Sequence, residues 1–163
     1  RDWSSDVCSS DLETSIFGYR TARSGRDVIF QARQHLTRRW WEERRHRFDV
    51  FVSQLVFEEA SAGDPKAAAE RVKLLEGLRF IGRMTEVDQV AELLVTRHLL
   101  PAKALADAQH IAYAAIAGVD YVLTWNCRHL ANAERLPGIY ATLRSEGLSP
   151  PLIVTPEEFS DVE

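Results

Sequence analysis

The chain has 163 residues, 45% hydrophobic and 27% charged, a composition that suits one globular domain and excludes whole-chain disorder, collagen-like repeats and low-complexity arrays. Its formal net charge of −4 argues against broad, charge-driven coating of nucleic acid but leaves room for a local basic groove. No apolar run approaches the length of a membrane span, and Cys8 and Cys127 cannot build a disulfide scaffold, so a reducing cytoplasm is the expected compartment.

Residues 1–12 are rich in Ser and Asp and lack the apolar core of a signal peptide, which makes them poor strand material. Asp2–Leu12 also coincides with one reading frame of a common short-read sequencing adapter, whose last codon encodes Leu whatever its final base. We therefore expect 1–12 to be a non-native segment and 13–163 to be a single domain whose authentic N-terminus is missing. The alternative is an ordinary polar tail.

From Ser24 to about Arg45 the pattern is helical, with Val28, Ala32, Leu36 and Trp40 forming one apolar stripe. Phe48–Val52 reads as a strand, and Ser53 can cap a short helix over Leu55–Ala62. Asp64-Pro65 opens a helix to about Leu75, and Arg79–Ile81 is a short strand. Thr85 with Asp88 predicts a cap before a helix carrying Val87, Val90, Ala91 and Leu94. A further helix starts at Pro101, runs to Ala117 and closes at Gly118. Tyr121–Thr124 is a compact strand; the helix expected from about His129 is broken or kinked at Pro137-Gly138. Leu152–Val154 is the last strand, followed by Thr155-Pro156-Glu157-Glu158, a cap with a first-turn proline. Short apolar strands alternating with helices predict an α/β three-layer sandwich with a parallel central sheet, whose sites form at the carboxyl ends of strands near the topological switch point.

That rule directs attention to Glu13, to Glu59 on the helix after the second strand, to Asp107 in an otherwise apolar helix, and to Asn126 just past a strand. An acid in a segment as apolar as 101–117 is costly unless it is used. Here the sequence resembles the PIN-domain nucleases and, within them, the VapC-type toxins of type II toxin–antitoxin systems. The matching stretches are Leu-Glu-Thr-Ser at 12–15, Val-Phe-Glu-Glu-Ala-Ser-Ala-Gly at 56–63, Ala-Asp-Ala-Gln-His-Ile-Ala at 106–112 and Tyr-Val-Leu-Thr-Trp-Asn at 121–126. They follow the family's order, and the resemblance runs from Leu12 to about Phe159.

The resemblance implies an α/β/α fold and three or four acids around Mg²⁺ or Mn²⁺ that hydrolyse RNA to a 5′-phosphate and a 3′-hydroxyl. Carried over by position, Glu13, Glu59 and Asp107 are metal ligands, with Glu58 the adjacent alternative to Glu59. Asn126 stands where the family usually has Asp; its carbonyl can still hold Mg²⁺ or a water on it. The electrostatics agree: two carboxylates ~4 Å apart repel by about 4 kcal/mol at an effective dielectric of 20, so a bare cluster protonates or recruits a cation. The resemblance also implies an RNA substrate, a cognate antitoxin and a homodimer, with no membrane. The other reading is a degenerate PIN domain that binds RNA or a protein partner without cleavage, favoured by Asn126. A third is a DNA or structured-RNA nuclease with no toxin role.

Several neighbours have two readings. Thr14 and Ser15 can bond the carboxylate or a phosphate, or serve a turn or helix cap. His110, one turn after Asp107, can orient it, touch a phosphate, or simply pack beside the sheet. Lys103 can offset Asp107 or be solvated. Cys127 reads as structural and His129 as a site neighbour; a Cys/His pair with one residue between is not a zinc pattern. Six arginines over Arg33–Arg47, with Trp40 and Trp41, form either an RNA path or antitoxin groove, or a solvated helix face. Finally, the resembling fold puts the strand ending at Glu13 in mid-sheet. Ser9-Ser10-Asp11 there predicts a short, irregular or poorly packed strand and a marginally stable chain.

Overall fold

The computed structural model of the chain describes residues 7–25 and 27–159. Five strands, β1 (Ser9–Leu12), β2 (Asp49–Ser53), β3 (Arg79–Ile81), β4 (Tyr121–Leu123) and β5 (Leu152–Val154), form one parallel sheet in the order β3-β2-β1-β4-β5. The helices are α1 (Thr14–Thr21), α2 (Val28–Arg39), α3 (Gln54–Ala60), α4 (Pro65–Leu75), α5 (Glu86–Thr96), α6 (Leu105–Ala117) and α7 (Leu136–Ser145). They cover both faces, giving the three-layer α/β architecture. On one face Ile81, Val122 and Ile153 pack with residues of α5, α6 and α7; on the other, Leu12, Val50, Val52 and Leu123 pack with α1, α3 and α4. The chain leaves β1 towards β2 on one side and returns to β4 on the other, so the switch point lies between β1 and β4.

Local sequence explains most boundaries. Ser53 caps α3 by accepting from Val56 N at 3.4 Å, and Asp64 caps α4 by accepting from Ala67 N at 2.9 Å. Gly118, at φ +66°, ends α6 in the left-handed conformation that a side chain resists. Glu158 accepts from Thr155 N at 2.6 Å, although the turn it closes is 3₁₀. Thr85 makes no side-chain cap to α5, since its hydroxyl turns to Glu86 instead. Pro137 neither breaks nor kinks a helix: α7 begins at Leu136, and the proline takes the first turn, where its missing N–H is not needed.

Two expectations are corrected. The stripe from Val28 to Trp40 is not the packed face of α2: Val28 is 78% exposed, whereas Gln34 and Thr37 are buried. Polar bonding decides this, because Gln34 donates to Ala22 O at 2.6 Å and Thr37 accepts from Trp125 Nε1 at 2.7 Å. Trp40 is buried, but in a π-helical turn, Trp40–Arg44, that follows α2.

The second concerns β1. The segment expected to be irregular is a regular four-residue strand, buried throughout and paired on both sides, Ser10 with Val50 and Tyr121. Ladder bonds do not depend on side-chain polarity, and Ser9 adds two: its N and Oγ both donate to Asp120 Oδ2 at 2.7 Å. The polarity surfaces elsewhere, since Ser10 Oγ and Asp11 Oδ1 are buried without a partner. The proposed non-native segment thus has residues 1–6 outside the described part, while Ser9–Leu12 belongs to the same sheet as the rest.

Candidate metal centre

Glu13 follows β1 directly and is 7% exposed, at the switch point. Its Oε2 accepts from Ser15 Oγ at 2.5 Å and from Thr124 Oγ1 at 2.7 Å. Ser15 Oγ also accepts from Trp125 N at 2.8 Å, so α1 and the turn after β4 hold this carboxylate jointly. Glu59 reaches the site from α3, bonded by the Thr14 hydroxyl. The adjacent Glu58 points away, to Gln54 at 2.9 Å and Arg83 at 3.7 Å. Glu59 is thus the inward one of the two acids.

His110, on α6, is 2% exposed and completes the group. Its Nε2 lies 2.9 Å from Glu59 Oε2 and 4.0 Å from Glu13 Oε1. One ligand atom each from Glu13, Glu59 and His110 lie within 4.8 Å of one another. Burial works against charge on His110, but the Glu59 hydrogen bond and the surrounding Glu13, Glu59 and Asp11 carboxylates outweigh it and raise its pKa above the ordinary imidazole value. Burial likewise opposes ionisation of Glu59; the bonds and charge of His110 and the bond from Thr14 prevail and lower its pKa. The cluster thus sets two acidic side chains against one buried imidazole, whose Nδ1 is left without a hydrogen-bond partner.

Asp107 and Asn126 form a second, adjoining group. Asn126 Nδ2 donates to Asp107 Oδ1 at 2.9 Å, and His129 Nδ1 lies 2.7 Å from Asp107 Oδ2. Asn126 Oδ1 accepts from the backbone N–H of His129 at 3.1 Å, closing a ring among the three residues. Thr124 joins the groups: its hydroxyl donates to Glu13 and accepts from Asn126 N at 2.9 Å. Among the residues predicted for the site, Glu13 and Glu59 therefore meet directly, while Asp107 and Asn126 meet each other one hydrogen-bonded step away.

The readings left open for the neighbours resolve as follows. His110 binds Glu59, and the histidine on Asp107 is His129. Cys127 is exposed, so it is not a packing residue. Lys103 is exposed and forms no salt bridge among the described residues. Sequence reasoning missed Asp11, wholly buried on the sheet face that looks at α6 and carrying a pKa raised to about 7 by burial, with His110 lowering it and Glu13 raising it further. Its spacing of two from Glu13 was the available signal, since alternate strand residues share a face.

The donor set fits a hard divalent cation in part. Two carboxylates from separate elements suit Mg²⁺ or Mn²⁺, which favour oxygen ligands. The imidazole nitrogen is less suited to them and serves better as the hydrogen-bond partner it already is.

No family model and no curated protein matches this chain. Solved structures do resemble it. One is VapC20 of Mycobacterium tuberculosis, described as a sarcin-ricin-loop-cleaving toxin: TM-score 0.53, 18% identity, 70% of this chain and 87% of that one covered. Another is VapBC2 of Rickettsia felis, bound to a DNA fragment from its promoter: TM-score 0.50, 11% identity, 90% of this chain and 97% of that one covered. At these identities the likeness establishes the fold.

Proposed function

We propose that the chain is a divalent-metal-dependent endoribonuclease and the toxin component of a type II toxin–antitoxin pair, acting in the cytoplasm. The observation that carries the proposal is the meeting of Glu13 and Glu59, forty-six residues apart, with their ligand atoms within 4.8 Å at the switch point of a parallel sheet. Two further observations support it. The four resembling motifs occur in order on the elements that build this edge, and one structural neighbour is a toxin that cleaves RNA while another is a VapBC assembly.

Glu13, Glu59 and Asp107 would hold Mg²⁺ or Mn²⁺, with Asn126 assisting. Such an ion supplies a Lewis acid that acidifies water and offsets charge on the reacting phosphodiester. Ser15 and Thr124 fix the Glu13 carboxylate, and Thr14 fixes Glu59, so neither acid has to reorganise as charge develops. Asn126 and His129 each bond one oxygen of Asp107 and fix its orientation, leaving a lone pair on each oxygen for a metal. His110 Nε2 lies 2.9 Å from Glu59 Oε2 and ties α6 to the glutamate side of the site. An antitoxin and a second copy of the chain are the proposed protein partners.

The test is hydrolysis of RNA by the purified chain with Mg²⁺ or Mn²⁺, yielding 5′-phosphate ends, against Glu13→Gln and Asp107→Asn. Unchanged rates in both variants would reject the site. The alternative, a PIN-like domain that binds without cutting, is favoured by Asn126 and by the His110 bond already made to Glu59. It predicts no carboxylate-dependent affinity for either metal.

A further inference from the structure

Beside the candidate metal centre stands a stack that the proposed chemistry does not use. The Arg33 guanidinium lies over the rings of both Trp125, at 5.3 Å, and Tyr19, at 5.9 Å. Arg33 Nη1 donates to the Tyr19 hydroxyl at 3.2 Å, and the two rings pack edge to face at 5.9 Å. Trp125 is anchored twice, by its N–H to Ser15 and by Nε1 to Thr37, so the stack is rigid and continuous with the turn that carries Thr124 and Asn126. Among the described residues Arg33 forms no salt bridge, and it is only half-buried. The guanidinium thus packs on Trp125, the residue next to Asn126 of the candidate site.

We propose that Arg33, backed by Tyr19 and Trp125, is a nucleotide-binding subsite that takes an unpaired nucleotide flanking the scissile phosphate of a single-stranded RNA segment. The inference rests on the nuclease reading above and adds the substrate class. A guanidinium plane offers a face on which any base stacks and edge donors for the adjoining phosphate, a combination suited to single strands; a duplex keeps its base faces covered. Trp125 N donates to Ser15 Oγ at 2.8 Å and Ser15 Oγ to Glu13 Oε2 at 2.5 Å, so the platform is joined to the acid through a single serine. Arg33 touches no proposed metal ligand and acts on the substrate alone.

Fluorescence anisotropy tests this with a 5′-labelled twelve-residue oligouridine and a blunt RNA duplex of equal length, both in EDTA so that binding is read without cleavage. The parent chain is expected to prefer the single strand. Arg33→Ala is expected to weaken that binding about tenfold and to reduce the slope of log affinity against log salt by about 0.7, one phosphate contact on a single strand. Arg33→Lys should restore the salt slope without restoring the preference for single strands, because an ammonium has no face to stack on. Arg33→Gln, which keeps most of the stem packing, should behave like Arg33→Ala with an unchanged melting temperature. Parent-like single-strand affinity in a folded Arg33→Ala or Arg33→Gln protein would overturn the proposal. So would full rescue by Arg33→Lys, or a variant that keeps RNA affinity but loses a protein partner. Arg33-dependent binding without any metal-dependent cleavage would reject the nuclease reading and leave this subsite standing; cleavage with binding indifferent to Arg33 would do the reverse.

Discussion

His110 Nε2 lies 2.9 Å from Glu59 Oε2, bringing α6 and α3 together across fifty-one residues of chain at the carboxyl edge of the sheet. The histidine is fully inside and the glutamate side chain one-third exposed, so the pair couples the packed core to the open side of the site.

This pair gives stability a pH window. His110 has a raised pKa, so its contribution is complete below the ordinary value of 6.5 and is lost as pH climbs through the raised one. Glu59 has a lowered pKa, so its contribution is complete above 4.5 and is lost as pH falls through the lowered one. His110→Ala should therefore cost most between these limits, about 2–3 kcal/mol once the exposure of Glu59 is discounted, and progressively less at pH 9. Urea unfolding of parent and variant at pH 6 and pH 9 reads this directly; an equal difference at both would contradict it.

Asp11 adds a second loss of stability as pH rises, at lower pH than His110. Its carboxyl titrates at about 7 in the fold against 3.8 ordinarily, so the unfolded chain loses its proton first. Stability must fall as pH rises from about 4 to about 7 and then level off, by at most about 4 kcal/mol for three pKa units. Asp11→Val should remove this dependence and raise the melting temperature at pH 8. An unchanged melting curve would mean that Asp11 is not buried as described.

Asn126→Ala should release Asp107 and remove the acceptor of the His129 N–H, costing about 1–2 kcal/mol. Asn126→Asp places a second negative group against Asp107. It should destabilise the chain without metal yet strengthen Mn²⁺ binding about fivefold or more, because added ligand charge raises divalent affinity. Calorimetric titration with Mn²⁺ and thermal melts in EDTA check the two halves; weaker Mn²⁺ binding in Asn126→Asp would remove Asn126 from the site.

A stabilising metal site also predicts that millimolar Mn²⁺ raises the melting temperature of the parent and not that of Glu13→Gln/Glu59→Gln. Binding to the folded state alone contributes about 2.7 kcal/mol at a hundred times Kd. An equal shift in the double variant would place the ion elsewhere.

The coincidence of Asp2–Leu12 with adapter sequence predicts that resequencing the source locus will return other codons there, encoding apolar residues at 10 and 11. Recovery of the same codons would make the polar β1 native.

The alternation of strands and helices, the caps Ser53 and Asp64, the stop at Gly118 and the placement of Glu13 and Asn126 at strand ends were all legible in the sequence. Each is set by a few consecutive residues: their periodicity, their backbone preferences and their side-chain reach to nearby N–H groups. The resemblance put a strand at Ser9–Leu12 in mid-sheet, but its regularity was not legible, because its neighbours β2 and β4 impose it through backbone pairing that composition does not report. Nor was the partition of the site. Sequence spacing put His110 beside Asp107, yet the packing of α6 against α3 turned His110 to Glu59 and left Asp107 to His129. The chain by itself determined which elements form and which ends of them carry acids. Only the tertiary structure decided which acid meets which histidine, because side-chain pairing depends on interhelical angles and offsets set by the whole core and not by any local run of residues.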